Sequence, residues 1–367
     1  MASSLQAAAY AISGKKLPQD DLVHVFDMVG QHWESFRGQG IFITGGTGFF
    51  GKWLLESLLY ANQRLDLRCR ITVLSRNPIY FAESNPHLSD QSIVSFVTGD
   101  VHDFFYPDGR YKFIIHAATD VGAQTNVVDF FSSCIDGSKR VLDFACQAGC
   151  TDFLLVSSGA IYGRQPEDMV GLSENYIGAP DILNTKSAYG EGKRCSEWLA
   201  NAYGEKGQFR VKIARCFSFV GPHLPLDKHF AVGNFIRDAL ANRGIVIQGD
   251  GTPYRSYLYA ADLAIWLWTI LLRGPAGVAF NVGGDEAITI AELARRVSQL
   301  AETGKKVQVM AVRDPQQAVE RYVPDVQKAK HELGLQTWIP LDDAIHRTLQ
   351  WLKWMQYCQV GGNDEII

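Results

Sequence analysis

Two residues in the segment SAYGEGKRCSE can move a proton together. Tyr189 and Lys193 stand four apart, and on a helix that spacing puts both side chains on one face. A free phenol titrates near pH ~10 and is a poor base at neutral pH. A neighbouring ammonium favours the phenolate and lowers that value. The stretch LLVSSGAIYG, residues 154–163, holds a second candidate pair: an apolar strand runs into Ser157 and Ser158 with no acid or base following. Serine at a strand end is usually a turn residue, so its role depends on what faces it.

TGGTGFFG (44–51) lies directly after a short β-rich run, IFIT (41–44), and opens a helical segment, KWLLESLLYA. Gly45 permits the tight turn, Gly48 lets the backbone approach a pyrophosphate, and Gly51 lets the helix pack close to the sheet. The first N–H groups of that helix then face the anion. In this setting a glycine triplet predicts dinucleotide binding. An oxidised nicotinamide beside Tyr189 adds to the ammonium. Lowering the phenol by about three units takes roughly 4 kcal/mol, within reach of two cations in a partly desolvated site.

The end of the second strand discriminates between dinucleotides. A carboxylate there accepts from the adenosine ribose of NAD, and an arginine suits a 2′-phosphate. Here the strand ends VLSRNP, with Ser75 and Arg76 and no acid. That favours NADP(H), with charge-assisted bonds from Arg76, and leaves NAD(H) possible. Arg76 read as a solvated surface charge is the alternative. Asp100, after SFVTG, is a candidate for the adenine amino group. His116-Ala117-Ala118-Thr119 ends the fourth strand with small residues that leave room for a cofactor.

The elements that must position these residues follow in alternation. RITVLS (70–75), SIVSFVTGD (92–100), KFIIHAA (112–118), FLLVSS (153–158) and VKIARCF (211–217) are strand candidates, with helical stretches near 127–148 and 187–203. Short apolar runs alternating with longer amphipathic ones imply an α/β fold, a parallel sheet with helices on both faces and strands buried on both sides. Before it, residues 20–36 place Leu22, Val25, Phe26, Val29, Trp33 and Phe36 at helical spacing, with Pro18 and Asp20 or Asp21 as a possible start. This extra helix packs on the main domain or, alternatively, binds a partner. After residue 217 the rhythm loosens, through Gly221-Pro222, GDGTPYRSY (249–257) and VGGDE (282–286). The expected division is a helical extension (1–38), a dinucleotide-binding domain (39–217) and a smaller substrate lobe (218–367) interleaved with it.

With 367 residues, 47% hydrophobic and 20% charged, the chain can bury one large core or a core with a smaller lobe. A net charge of −4 gives no reason to expect nucleic acid. The seven cysteines include no Cys-x-x-Cys pair, and the nine histidines show no ligand-like spacing, so neither disulfides nor a metal is expected. A reducing, cytoplasmic setting fits. The apolar run near the N-terminus precedes its lysines, the wrong order for a signal peptide. The run near 260–272 starts beside Asp262 and ends at Arg273, which reads as a buried helix rather than a membrane span.

Taken in order, these motifs resemble the extended short-chain dehydrogenase/reductases, over nearly all of residues 40 to 350. More narrowly, they are similar to the nucleotide-sugar epimerases, dehydratases and 4-keto reductases. The resemblance rests on five ordered matches: the glycine turn from Thr44 to Gly51, the serine segment from Ser157 to Gly163, Tyr189 to Lys193, Arg215-Cys216-Phe217-Ser218-Phe219-Val220-Gly221-Pro222, and Gly249 to Leu263. It implies a doubly wound Rossmann sheet with a smaller C-terminal α/β lobe. It also implies that Ser158 holds the substrate oxygen at the reacting carbon, Tyr189 exchanges the proton, and Lys193 holds the ribose and tunes Tyr189. Ser157 is expected near the cofactor or in a structural role. The dinucleotide contacts expected are Gly45, Thr47, Gly48, Phe49, Phe50, Gly51, Ser75, Arg76, Asp100, Val101, Ala117, Ala118, Thr119, Ser157, Tyr189, Lys193 and Phe217. Substrate contacts expected are Ser158, Ser218, Arg255 and Arg321. The last could instead be a surface ion-pair residue. Homodimerisation through the helices near 127–148 and 187–203 is implied as well.

Departures from the pattern narrow the chemistry. Dehydratases of the glucose type look like Thr-Asp-Glu where this chain has Ser158, Gly159 and Ala160, and glucuronate decarboxylases look like Ser-Glu or Thr-Ser-Glu. Glycine and alanine can neither give nor take a proton, so elimination through an acid pair is disfavoured. The family asparagine is Ser218, a shorter group. The leading expectation is an NADP(H)-dependent reductase of a 4-keto-6-deoxy nucleotide sugar. A C-4 epimerase with tightly held NAD(P) is the alternative, and a non-catalytic dinucleotide-binding subunit the second.

Overall fold

The computed structural model describes residues 16–89, 91–118, 126–228 and 230–359; Thr119 lies outside them. Seven strands form one sheet: β1 (Gly40–Thr44), β2 (Arg70–Ser75), β3 (Val94–Thr98), β4 (Phe113–His116), β5 (Asp152–Ser158), β6 (Arg210–Cys216) and β7 (Val278–Val282). Their order is β7-β6-β5-β4-β1-β2-β3, and every neighbouring pair is parallel. β1, β4 and β5 are buried along their whole length, which explains why they read as unbroken apolar runs. The longer helices are α1 (Gln19–Val29), α2 (Phe49–Leu65), α3 (Val127–Gln147), α4 (Ala188–Glu205), α5 (Ala231–Leu240), α6 (Ala260–Arg273), α7 (Ile290–Leu300) and α8 (Leu341–Gln359). The chain winds outward from β1 to β3, then returns to β4 on the other side of β1. This is the doubly wound Rossmann arrangement, and its crevice opens at the carboxyl ends of β1 and β4.

The helix expected over 20–36 is divided. α1 stops at Val29, where Gly30 takes φ 56°, and a 3₁₀ stretch carries on from Gly30 to Phe36. The apolar stripe survives the break: Leu22, Val25, Val29, Trp33 and Phe36 are all buried. Trp33 and Phe36 pack on Trp268 of α6 at ring distances of 5.4 and 5.2 Å. Burying such side chains stabilises by about 2–3 kcal/mol each. Asp21 is buried too, receiving hydrogen bonds from Tyr259 Oη (2.6 Å) and from Arg347 of α8 (2.6 Å).

α6 is the apolar run of residues 260–272, buried from Ala260 to Leu271 against β5, β6 and α2. Among the described residues no helix is long and apolar enough to cross a membrane. β7 brings the chain back beside β6. Outside the main sheet, Tyr254–Arg255 pairs with Ile288–Thr289 on one side and with Arg321–Tyr322 on the other. That small sheet hangs over the carboxyl end of β6.

Candidate active site

Because all seven strands run the same way, the residues following them share one edge. The glycine turn follows β1, Ser75 and Arg76 close β2, Asp100 follows β3, Ala117 and Ala118 follow β4, Ser158 ends β5, and Phe217 and Ser218 follow β6. Gly45 has φ 73°, and a Cβ there would lie 2.6 Å from the Ala117 carbonyl and 2.7 Å from the Ala118 nitrogen. At Gly51 a Cβ would lie 2.3 Å from the Gly45 and Gly46 backbone, so α2 starts in contact with the turn. Gly48 differs: it is exposed, and a Cβ would meet only the Gly45 oxygen, at 3.4 Å. The turn is closed from below and open at the helix N-terminus, a cradle that fits a pyrophosphate. Thr47 is half-buried in this turn. Phe49 stacks edgewise on Phe50, and Phe50 on Phe219, at 5.6 and 5.0 Å.

The other cofactor candidates have definite neighbours. Ser75 is buried, and its hydroxyl accepts from the Asn77 N–H (3.3 Å), while Arg76 is exposed. Asp100 pairs with His102 at 2.8 Å, and Val101 lies under Gly137 of α3. The Ala118 N–H donates to Thr44 Oγ1, which bonds His116 Nδ1 at 2.8 Å; His116 Nε2 reaches Ser138 Oγ on α3 at 3.2 Å. Burial, reinforced by the Lys193 charge, pushes His116 down to about 3, so the ring is neutral.

Tyr189 lies near the start of α4, with Lys193 one turn on and buried. The Lys193 ammonium donates to the Val156 carbonyl of β5 (2.8 Å), and burial lowers its pKa. Burial raises the Tyr189 phenol to about 12, and its hydrogen bond with Ser158 works the other way. Thus Ser158, Tyr189 and Lys193 converge at the end of β5. The ammonium expected to pull Tyr189 down is not among the groups that shift it: burial dominates and keeps the proton on the phenol.

The two serines part company. Strand alternation sends them to opposite faces. The Ser157 hydroxyl donates to Glu197 Oε1 (2.5 Å) on α4. Glu197 is held by Arg215 (2.8 Å), Arg215 donates to Tyr162 Oη (2.8 Å), and Tyr162 donates to Asn281 (2.8 Å). Ser157 therefore belongs to a buried polar brace that ties β5, β6 and α4 together. Ser158 faces the crevice, where its Oγ accepts from the Ala160 N–H (3.1 Å).

Beside it, the Phe217 ring covers Gly159: a Cβ there would lie 2.6 Å from ring carbons. No side chain, acidic or otherwise, fits at that position without displacing the ring. Phe217 stacks on Tyr322 at 4.7 Å, and the Tyr322 hydroxyl lies 3.5 Å from Ser158 Oγ. Arg255 sits over the Tyr322 ring at 5.9 Å, paired with Glu320 (2.5 Å). Ser218, half-buried, receives the Leu258 N–H on its carbonyl (3.0 Å).

Arg321 goes elsewhere. It is in register with Tyr254 and stacks on that ring at 4.3 Å, whereas Tyr322 is in register with Arg255. Adjacent strand residues face opposite ways, so the structure sets Arg321 apart from Ser158 and brings Tyr322 to it.

A model of the NAD-dependent epimerase/dehydratase family matches residues 41–283. The chain belongs to that family. Among its relatives, UDP-glucuronic acid decarboxylase 1 of Xenopus tropicalis is 26% identical over 315 residues, which span 85% of this chain and 72% of that protein. UDP-glucose 4-epimerase of Thermotoga maritima, solved with UDP-glucose, superposes with a TM-score of 0.74 at 20% identity, covering 87% of this chain and 100% of that one. The dTDP-glucose 4,6-dehydratase DesIV of Streptomyces venezuelae, with NAD and TYD bound, gives 0.69 at 24% identity, over 86% and 97% of the two chains. These structures share the fold. Membership makes this chain an enzyme of the NAD-dependent epimerase/dehydratase type.

Tyr322 is the site residue that sequence reasoning missed. Its neighbour Arg321 draws attention as a cation for the diphosphate, and only the one-residue register of a two-residue strand reveals which of the two faces inward. Glu197 was detectable in principle, standing four residues after Lys193 on the same helix.

Proposed function

We propose that this family member reduces the C-4 ketone of a 4-keto-6-deoxy nucleotide sugar with NADP(H). The observation that carries the reading is the Phe217 ring over Gly159, which leaves no room for an acid next to Ser158 and so speaks against elimination through an acid pair there. Bound along the glycine turn, the dinucleotide supplies the hydride. Ser158 Oγ holds the reacting oxygen. Tyr189, protonated because burial raises it to about 12, is the acid that gives that oxygen its proton as the C–O double bond becomes single. Lys193, anchored on Val156, supplies positive charge that favours the phenolate left behind. Arg255 is the candidate for the diphosphate, in exchange for Glu320. The absence of a carboxylate at the end of β2 supports NADP(H).

A C-4 epimerase is the second reading. It would use the same Ser158, Tyr189 and Lys193, and the family model that matches this chain is described as epimerase/dehydratase. The convergence of all three catalytic side chains speaks against a non-catalytic subunit. A homodimer through α3 and α4 accords with exposed Val128 and Trp198 on those helices.

The test starts with the purified protein: release and identify any bound dinucleotide, then add NADPH and a 4-keto-6-deoxy nucleotide sugar. Stoichiometric NADPH loss matched by reduced sugar is the expected result. Tightly held NAD⁺, no net NADPH loss and isomerised 4-hydroxy sugar would replace the reductase with the epimerase.

A further inference from the structure

Tyr322 is held firmly. Its strand is pinned by the Tyr254 N–H on the Glu320 carbonyl (2.8 Å), the Val323 N–H on Gln165 Oε1 (3.0 Å) and the Leu172 N–H on the Val323 carbonyl (2.8 Å). Its ring lies against Phe217 and under Arg255, and its hydroxyl projects to 3.5 Å from Ser158 Oγ. That spacing is long for a hydrogen bond between two hydroxyls. It suits two donors that each reach one of two oxygens on adjacent sugar carbons, since such oxygens themselves lie about a hydrogen-bond length apart.

We propose that Tyr322 determines specificity: its hydroxyl donates to the oxygen on C-3 while Ser158 holds the reacting oxygen on C-4, so the pair grips vicinal oxygens and selects nucleotide sugars that keep a C-3 hydroxyl. The inference rests on the nucleotide-sugar reading above, with C-4 as the reacting carbon. Burial raises the Tyr322 pKa, so the phenol keeps its proton and donates at neutral pH. The cation over its ring favours a stronger donor. The place beside Ser158 where an acid would stand is thus filled by an aromatic wall with one hydroxyl at its tip.

Equilibrium binding tests this without turnover. The full-length protein, saturated with oxidised dinucleotide, is titrated with UDP-glucose and dTDP-glucose, and then with the 3-deoxy counterpart of the tighter ligand. Losing the C-3 hydroxyl is expected to weaken binding to the wild type about 10-fold, the value of one good hydrogen bond. Tyr322→Phe keeps the ring on Phe217, and it is expected to weaken the parent sugar by about the same factor and bind both sugars within about 2-fold. Equal binding of the two sugars by the wild type overturns the proposal, and that comparison needs no variant. Continued discrimination by Tyr322→Phe also overturns it, as does failure of both parent sugars to bind. Discrimination without any hydride transfer would leave the vicinal grip standing and remove the reductase reading.

Discussion

Over β1 and β4 the carboxyl edge of the sheet presents backbone, whereas over β5 and β6 it presents hydroxyls and rings. On the first side, Gly45 and Gly51 are pressed against carbonyls and amides, and those close contacts are between backbone atoms. On the second, Ser158, Tyr189 and Tyr322 stand within reach of one another, and each matters through a single oxygen. The difference teaches where damage should be steric and where it should be chemical. One side fails when an atom is added, the other when one is removed.

The largest effect belongs to the first side. Gly51→Val puts carbon into the Gly45–Gly46 backbone, and it is expected to destabilise by more than about 3 kcal/mol and abolish dinucleotide retention, read by urea unfolding and by cofactor release. Gly48→Ala, whose Cβ would meet only the Gly45 oxygen at 3.4 Å, should keep the fold. An equal loss at Gly48 would break the comparison. Next, Tyr189→Phe is expected to lower kcat by about 10³-fold with dinucleotide affinity and unfolding midpoint unchanged.

The adjacent serines sharpen the contrast inside one strand. Ser158→Ala should cost roughly 10²-fold in kcat, since it removes a donor to the reacting oxygen, and about 1 kcal/mol of stability from the Ala160 N–H it leaves uncapped. Ser157→Ala should cost about 1–2 kcal/mol of stability, because buried Glu197 loses a donor, and leave kcat within about 3-fold.

His116 gives a pH signature to the backbone side. Unfolded, it titrates at 6.5; folded, it stays neutral down to about 3. Below 6.5 the unfolded chain takes up a proton that the native one refuses, so stability falls as pH drops, by about 1.4 kcal/mol per unit. Between pH ~7 and ~5 that amounts to about 2 kcal/mol. His116→Asn should flatten this part of the slope in paired urea titrations. Smallest is Arg76→Ala, expected to raise the KM for NADPH about 5-fold and leave that for NADH unchanged. No change in either would favour NAD.

What the sequence disclosed divides along the same line. The glycine turn and the Tyr189–Lys193 pair are local patterns whose spacing alone sets their geometry, and the buried strands announce the sheet by unbroken apolar runs. The serine pair discloses that its two members face opposite ways, though not that Ser157 meets Glu197, a contact across 40 positions. Tyr322 meets Ser158 across 164 positions through a strand of only two residues. No periodicity can be read in so short an element, and a shift of one residue would have exchanged it with Arg321.

Asp21 carries one more consequence, in the order of the protein's making. It is among the earliest described residues to leave the ribosome, yet its carboxylate is shared between Tyr259 and Arg347, the latter 326 positions later. Until that last long helix emerges, the Asp21 carboxylate has Tyr259 but lacks the Arg347 cation. α1 must therefore wait for α8, and a nascent chain stalled before α8 would show protease-accessible cleavage at α1 while the sheet behind it is already protected.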